Sequence, residues 1–330
     1  IWLGTPSGLV RFDGSQFTLF NHLNTPTLPE HNIIALHQDN TGRLWIGTAG
    51  GGLICLHENV WTHYTNREGL SDNYIRAITS DVNGVVWIGT DYGLNRIGPD
   101  AIQNYTTRDG LLDNVILSLT TDWQGYLWIG TLRGGLCQFQ NGVIRLYGYQ
   151  NGLTNMAVSS LCRDQLNNIW IGTQRGLFYL NNSTGQIRLI ENSNYSPITG
   201  IISDNQGSIW VGTMTDGLKI IKKEQWVGFS SEKIFPCGFI RTIFSDRDDN
   251  LWIGSDGEGL FQLYNRWIVN ITREQGLPEG GINVICGSVS GEYWIGTQSH
   301  GLYRVRNGKV IEQKKSQRRM SGYQITALLE

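Results

Sequence analysis

One five-residue stretch, Leu44-Trp45-Ile46-Gly47-Thr48, recurs with small changes along all 330 residues. Its tryptophans are Trp2, Trp45, Trp87, Trp128, Trp170, Trp210, Trp252 and Trp294, at successive spacings of 43, 42, 41, 42, 40, 42 and 42. A period of about 40 to 45 residues belongs to propeller blades and to some helical arrays. Trp-Ile-Gly-Thr decides between them, because a β-branched and aromatic run with alternating faces reads as a strand. The expected fold is all-β, a β-propeller of four-stranded antiparallel blades. Such a scaffold does not by itself name an activity.

Each repeat offers four strand candidates, a to d. Strand a lies about twelve to seven residues before the tryptophan. Its twelfth position back is Ile33, Ile75, Ile116, Val158, Ile198, Ile240 or Ile282, and its ninth is Leu36, Ile78, Leu119, Leu161, Ile201, Ile243 or Ile285. Between them sits a small or medium residue, such as Ala35, Ala77 or Gly200, which suits a crowded inner strand. Six residues before the tryptophan comes Asp39, Asp81, Asp122, Asp164, Asp204 or Asp246, with Ser288 the exception. Glycine, or Asn167 or Asp249, follows three residues later. Aspartate can bond its own backbone two residues on, so this is hairpin chemistry joining a to b. Trp and Gly lie two apart on one face of strand b. The bare glycine would let a neighbouring blade approach closely. A Gly-Leu pair opens strand c, as at Gly52-Leu53 and Gly135-Leu136, and strand d often ends in aromatics. The d–a connection carries Gly-Leu-x-x-Asn or a variant, as from Gly69 to Asn73 and from Gly110 to Asn114.

The chain opens at Ile1-Trp2, inside strand b, which leads one to expect a segment upstream. Its last residues, Ile325 to Glu330, read as a strand a. Paired with the N-terminal b strand, they would close a ring without free edges. The expectation is one domain over residues 1–330 with eight blades. The alternative is seven blades plus part of another.

Net charge is −2, from 26 basic and 28 acidic residues, which argues against a nucleic-acid footprint. The basic run Lys309, Lys314, Lys315, Arg318 and Arg319 reads as a solvated loop. The five cysteines, Cys55, Cys137, Cys162, Cys237 and Cys286, are odd in number and contain no Cys-x-x-Cys. They read as small buried side chains rather than ligands. No apolar run of 18 residues occurs, so no membrane contact is expected within the chain. The acidic run Asp246-Arg247-Asp248-Asp249-Asn250 resembles a short calcium loop, but the same slot is a plain turn in other repeats. No metal or cofactor is expected.

The pattern Asp-x-x-Gly-x-Leu-Trp-Ile-Gly-Thr followed by Gly-Gly-Leu, reproduced from Asp39 to Leu53, resembles the regulator-propeller repeat of bacterial two-component sensors. The likeness runs over the whole chain. It implies an extracytoplasmic ligand-sensing module, periplasmic or extracellular, belonging to a membrane-anchored receptor. Family members often carry two propellers, a small β-sandwich, a membrane helix and a histidine kinase or diguanylate cyclase. Glycan fragments induce many of those from gut bacteria.

Strand polarity places the b–c turns and the d–a connections on one face. The turns present Asp91, Tyr92, Arg133, Arg175, Asp216, Asp256, Glu258 and His300; the connections present His31, Asn73, Asn114 and Asn155. Aromatic, amide and charged groups together suit an oligosaccharide or other small polar ligand. The ligand-binding candidates are therefore Tyr92, Arg133, Arg175, His300, Asp91, Asp216, Asn73 and Asn114. No His-Glu-x-x-His and no Gly-x-Ser-x-Gly elbow occurs, so no catalytic residue is assigned. Two other readings stay open: a propeller lyase, which would draw on His31 and His300, and a protein-binding scaffold. Expected partners are the ligand, a neighbouring propeller or output domain, and a second copy of the chain.

Overall fold

A computed structural model describes the chain apart from residues 1, 6–7, 13–16, 29–31, 99–100, 192–195, 223–224, 228–237, 246–250, 256–259, 265–266, 272–275, 278–281, 288–291, 298–300, 307–308, 315–326 and 330. The chain divides into two compact units, residues 19–195 and residues 1–18 with 196–330.

Within residues 19–195, four sheets each run a-b-c-d in sequence order. Sheet 2 is Ile33–Gln38, Leu44–Thr48, Leu53–His57 and Val60–Tyr64. Sheet 3 is Ile75–Ser80, Val86–Thr90, Gly93–Ile97 and Ile102–Tyr105. Sheet 4 is Ile116–Thr121, Leu127–Thr131, Leu136–Gln140 and Val143–Tyr147. Sheet 5 is Val158–Arg163, Ile169–Thr173, Gly176–Asn181 and Gln186–Leu189. Their a strands pack in series, each on the next.

The other unit holds sheet 6 (Ile198–Ser203, Ile209–Thr213, Leu218–Lys222, Gln225–Val227) and sheet 7 (Ile240–Ser245, Leu251–Ser255, Leu260–Tyr264, Trp267–Ile271). Sheet 8 is Ile282–Gly287, Tyr293–Thr297, Leu302–Arg306 and Lys309–Lys314. In sheet 1, Trp2–Thr5, Gly8–Phe12 and Phe17–Phe20 take their a strand from Ala327–Leu329, with Trp2 opposite Leu329 and Gly4 opposite Ala327. Ile325, the residue aligned with the other a strands, lies outside the described residues.

The architecture is a β-propeller of four-stranded antiparallel blades, but the expected blade number needs correction. A b strand that is described and buried at all five positions occurs in six sheets, numbers 2 to 6 and 8. Among the described residues these are six blades, not eight or seven. Tryptophan spacing counts b strands. It does not report which of them are covered on both faces.

The packing follows from the Trp/Gly face. A methyl group added at Gly47 would stand 2.6 Å from Ile75 Cγ2 of the next sheet. At Gly89 it would stand 2.5 Å from Ile116 Cγ2, at Gly130 2.6 Å from Val158 Cγ1 and at Gly212 2.8 Å from Ile240 Cγ2. The glycine is therefore the seat of the next blade's twelfth-position residue. A β-bulge aims that residue. In the a strands of sheets 2 to 8 the register slips by one residue, as between Ile33 and Ala35. The extra residue bends the strand and re-aims its side chains. Beside the glycine, the tryptophan joins a core shared with the next sheet: Trp45 packs with Leu53, Cys55, Leu70, Ile75, Val86 and Ile88. Leu70, Leu111 and Leu153 of the d–a connections close these cores.

Aspartate does more than make the a–b turn. Asp39 Oδ1 accepts the backbone N–H of Thr41 and of Arg43, at 3.0 and 3.1 Å. Asp39 Oδ2 accepts the buried Trp45 indole N–H at 2.8 Å and Arg43 Nε at 2.7 Å. Burial opposes ionisation of Asp39, but the hydrogen bonds from Thr41, Trp45 and Arg43 outweigh it and hold the carboxyl well below the usual range. The same indole–carboxylate bond joins Trp128 to Asp122 at 2.9 Å, Trp170 to Asp164 at 3.0 Å and Trp210 to Asp204 at 2.9 Å. At the other end of strand b, Thr48 Oγ1 donates to the Gly52 carbonyl at 2.7 Å, and Thr90, Thr131, Thr173, Thr213 and Thr297 repeat that bond.

Candidate functional site

Backbone hydrogen bonds assemble the face chosen from strand polarity. In sheet 2 the b–c turn donates from Ala49 N–H to Asn32 O at 2.8 Å and from Gly52 N–H to Asn73 O at 2.9 Å. In sheet 4, Leu132 N–H reaches Val115 O at 3.0 Å and Gly135 N–H reaches Met156 O at 3.0 Å. Gly217 N–H likewise reaches Gly238 O at 2.8 Å in the other unit. Turns and connections therefore do share one face within each unit.

The predicted residues divide by what their side chains do there. The Tyr92 ring is 58% exposed on its turn, with its own N–H donating to Thr90 Oγ1 at 3.1 Å. Arg133 is exposed and anchored through its backbone N–H to the Asp113 carboxylate at 2.8 Å. Arg175 is exposed, with its N–H on Thr173 Oγ1 at 3.2 Å. These three are presented to solvent. Asp91 is taken by Arg76, whose guanidinium forms an ion pair with it and stacks 4.8 Å from the Tyr74 ring centroid. The hydrogen bond to Asp91 raises the Arg76 pKa. Arg76 is the extra residue of its strand's bulge, which is why an a-strand side chain reaches the b–c turn. Asp216 accepts from Lys219 at 2.8 Å, and that bond lowers its pKa.

The side-chain carbonyl oxygens of Asn73 and Asn114 are engaged within the face. Asn73 Oδ1 accepts Asn66 N–H and Asn114 Oδ1 accepts Thr107 N–H, both at 2.9 Å and both across seven residues. Each asparagine pins the turn that leaves strand d. That turn carries its own capping pair, Thr65 with Glu68 and Thr106 with Asp109. Gly110, at φ 105°, ends the second of these turns in the left-handed region that favours glycine. His31, His300, Asp256, Glu258 and the calcium-like run 246–250 lie outside the described residues. Among the described residues no group of His, Cys, Asp or Glu side chains could hold a metal ion. Cys55 and Cys137 are buried free thiols, each pushed up to about 11 by burial.

Clefts among the described residues 19–195 include two of interest. One, of about 310 Å³, belongs to the face just described and is lined by His63, Thr65, Asn66, Arg67, Glu68 and Asn73. His63 Nε2 is hydrogen-bonded to the Gly51 carbonyl at 2.6 Å. The other, of about 490 Å³, lies at the opposite end of the strands, between sheets 3 and 4. Sequence reasoning missed it. Its floor is aromatic: Trp87 meets Phe139 edge-on at 4.9 Å, and Tyr105 meets Phe139 at 4.7 Å. Its walls are Asp81 and Asn83 of one a–b turn, Gln124 of the next, Gln140 to Gly142 of a c–d turn, and Arg96 and Gln103 from the strands. Arg96 Nη1 and Tyr105 Oη reach Gln103 Oε1 at 3.4 and 3.3 Å.

Five segments, residues 27–50, 69–92, 152–175, 192–215 and 234–257, match the two component regulator propeller. No curated protein matches the chain. Among solved structures, the extracellular domain of a hybrid two component system from B. thetaiotaomicron is similar at 23% identity and TM-score 0.64, over 94% of this chain and 45% of that one. The extracellular domain of a one component system from the same organism is similar at 20% identity and TM-score 0.59, over 94% and 50%. The chain thus spans about half the length of these two relatives. Virginiamycin B lyase from Staphylococcus aureus is similar at 17% identity and TM-score 0.59, over 80% and 91%. At these identities the likenesses show the fold. Among the described residues no helix is long and apolar enough to cross a membrane.

Proposed function

We propose that this chain, which carries the two component regulator propeller repeat, is a non-enzymatic ligand-sensing region of a bacterial signal-transduction receptor. The observation that carries the reading is the repeat itself, matched in five segments spread from residue 27 to residue 257. In this reading the region lies outside the cytoplasm in a membrane-anchored receptor, and it takes a glycan or other small polar ligand. Its output is passed to a neighbouring propeller, an output domain or a second copy. The exposed Tyr92, Arg133 and Arg175 supply a ring face and two cations on one rigid surface. The frame behind them is held by backbone bonds, so binding would be recognition by a preformed surface. A ligand shifts a receptor only as far as it binds one state better than the other.

A lyase and a scaffold are the competing readings. A thermal-shift screen of the purified chain against oligosaccharides tests all three, because a ligand bound only by the folded state raises its melting temperature. The sensor reading expects a shift from one glycan class, returned intact after incubation and lost in Tyr92→Ala or Arg133→Ala. Turnover of the ligand would move the assignment to a lyase. No shift from any sugar, with dimers formed through the same face, would make the chain a scaffold.

A further inference from the structure

The cleft between sheets 3 and 4 is where the repeat departs from its own rule. In sheets 2, 4, 5 and 6 the turn aspartate holds the tryptophan indole through Oδ2, at 2.8 to 3.0 Å. Sheet 3 has the same two residues, Asp81 and Trp87, without that bond. Asp81 Oδ1 still accepts the Asn83 and Val85 amides at 2.9 and 3.0 Å. Among the described residues, nothing donates to Asp81 Oδ2 and nothing accepts from Trp87 Nε1. Both residues line the cleft. What sets sheet 3 apart is Phe139, placed edge-on against Trp87. The same strand position is aliphatic at Leu56, Ile97, Leu180, Ile221, Leu263 and Val305, and aromatic elsewhere only at Phe12.

We propose that this cleft binds a ring of a neutral saccharide. A hydroxyl group both donates and accepts, and the wall offers both kinds of partner: the Asp81 carboxylate as acceptor, and Trp87 Nε1 and the Arg96 guanidinium as donors. Gln103 adds an amide. The C–H face of a sugar ring packs on aromatic surface, which the cleft has in its floor. An anion would face Asp81 and a cation would face Arg96, whereas a neutral polyol meets neither repulsion and can use both groups. A volume of about 490 Å³ is within the range of small-molecule sites. This site is at the opposite end of the strands from Tyr92 and Arg133. It rests on the sensor reading for its biological meaning only.

The test is a titration of the whole chain, labelled with ¹⁵N at its tryptophan indoles, with cellobiose, maltose and lactose. The Trp87 indole resonance is identified by its loss in Trp87→Phe. At least one disaccharide is expected to move that resonance saturably. Arg96→Met with Gln103→Ala should weaken binding about tenfold or more, since each removes a polar partner. Tyr92→Ala should leave it unchanged. Phe139→Leu, which restores the common residue of the repeat, should let the indole close on Asp81 and weaken binding too. No movement of the Trp87 resonance with any of the three sugars overturns the site. So does a movement abolished by Tyr92→Ala and untouched by the Arg96 and Gln103 changes, an outcome that would keep the sensor reading while removing this cleft from it.

Discussion

Gly47 is the point at which the stacking of one sheet on the next is most directly tested. Alanine there would place its methyl 2.6 Å from Ile75 Cγ2 and 2.9 Å from Ile75 Cβ. Neither atom is the free end of a flexible chain, and Ile75 is fully buried. Relief therefore requires the two sheets to move apart, and overpacking of this kind costs about 1–3 kcal/mol. At about 2.1 cal/mol/K per residue, 330 residues give an unfolding entropy of ~0.7 kcal/mol/K, so Tm should fall by about 1.5–4 °C. Gly200→Ala is the control, with the opposite sign. Nothing lies within 4 Å of an added methyl at Gly200, and Ala35 and Ala77 occupy the equivalent place in sheets 2 and 3. Removing unfolded-state freedom there should stabilise by about 0.4–1 kcal/mol. Calorimetry of the two variants reads both. Ile75→Ala alone should cost about 2–5 kcal/mol, and adding Gly47→Ala to it should cost less than the sum, because the new methyl occupies vacated space. If Gly47→Ala and Gly200→Ala shift Tm in the same direction, the close-approach account of the repeat glycine is wrong.

Asp39→Ala should destabilise by about 1–3 kcal/mol for each buried donor it orphans, the Trp45 indole foremost, whereas Trp45→Phe in the Asp39→Ala background should recover part of that loss; urea midpoints measure both. Acidification should weaken the fold in two stages. His37, hydrogen-bonded to Ser80 Oγ at 2.8 Å, has its pKa lowered by burial, with Asp39 opposing that shift. A depressed folded pKa means that its contribution is complete above 6.5 and is lost as pH falls through the folded value. Asp39 follows the same sign lower down: its contribution is complete above 3.8 and is lost as pH falls through its still lower folded value. Urea midpoints from pH 8 to pH 4 should decline, and His37→Gln should flatten the part of the slope nearest 6.5. Cys55 and Cys137, with thiols pushed up to about 11, should resist a disulfide labelling reagent at pH 8 in the native chain and react at once in urea.

What the sequence disclosed depended on whether a residue's role was local or shared between sheets. Strand b and the a–b turn are local, so their period and their turn residues were readable directly. The close approach at glycine was also readable, because Trp and Gly two apart must share a face. The bulge leaves a trace in the sequence: apolar residues at the twelfth and ninth positions back are three apart, an odd spacing that a regular strand cannot place on one face. Only an extra residue between them resolves it. The turn-pinning role of Asn73 and Asn114 was hidden for a related reason. A polar residue in a loop looks available until its partner is known, and Asn66 and Thr107, seven residues away, leave no pattern that marks them as partners.

Phe139 shows where the limit lies. Asp81 and Trp87 are indistinguishable in sequence from the four aspartate–tryptophan pairs that do bond. The difference comes from a c-strand residue some fifty positions later, on the neighbouring sheet, whose ring meets Trp87 at 4.9 Å. A repeat makes such departures detectable once the frame is known, because each position has internal controls. At the Phe139 position those controls are mostly aliphatic. A residue that breaks a repeat rule at a buried position carries a cost that the surrounding fold must offset. Here the break coincides with an aromatic floor and with an aspartate and a tryptophan that line one cleft. The same logic therefore predicts that grafting phenylalanine at Leu180, the corresponding residue of sheet 5, should disturb the Trp128–Asp122 bond of sheet 4. The Trp128 indole hydrogen, protected from exchange in the parent chain, should then exchange faster; unchanged protection would show that Phe139 is not what frees Trp87.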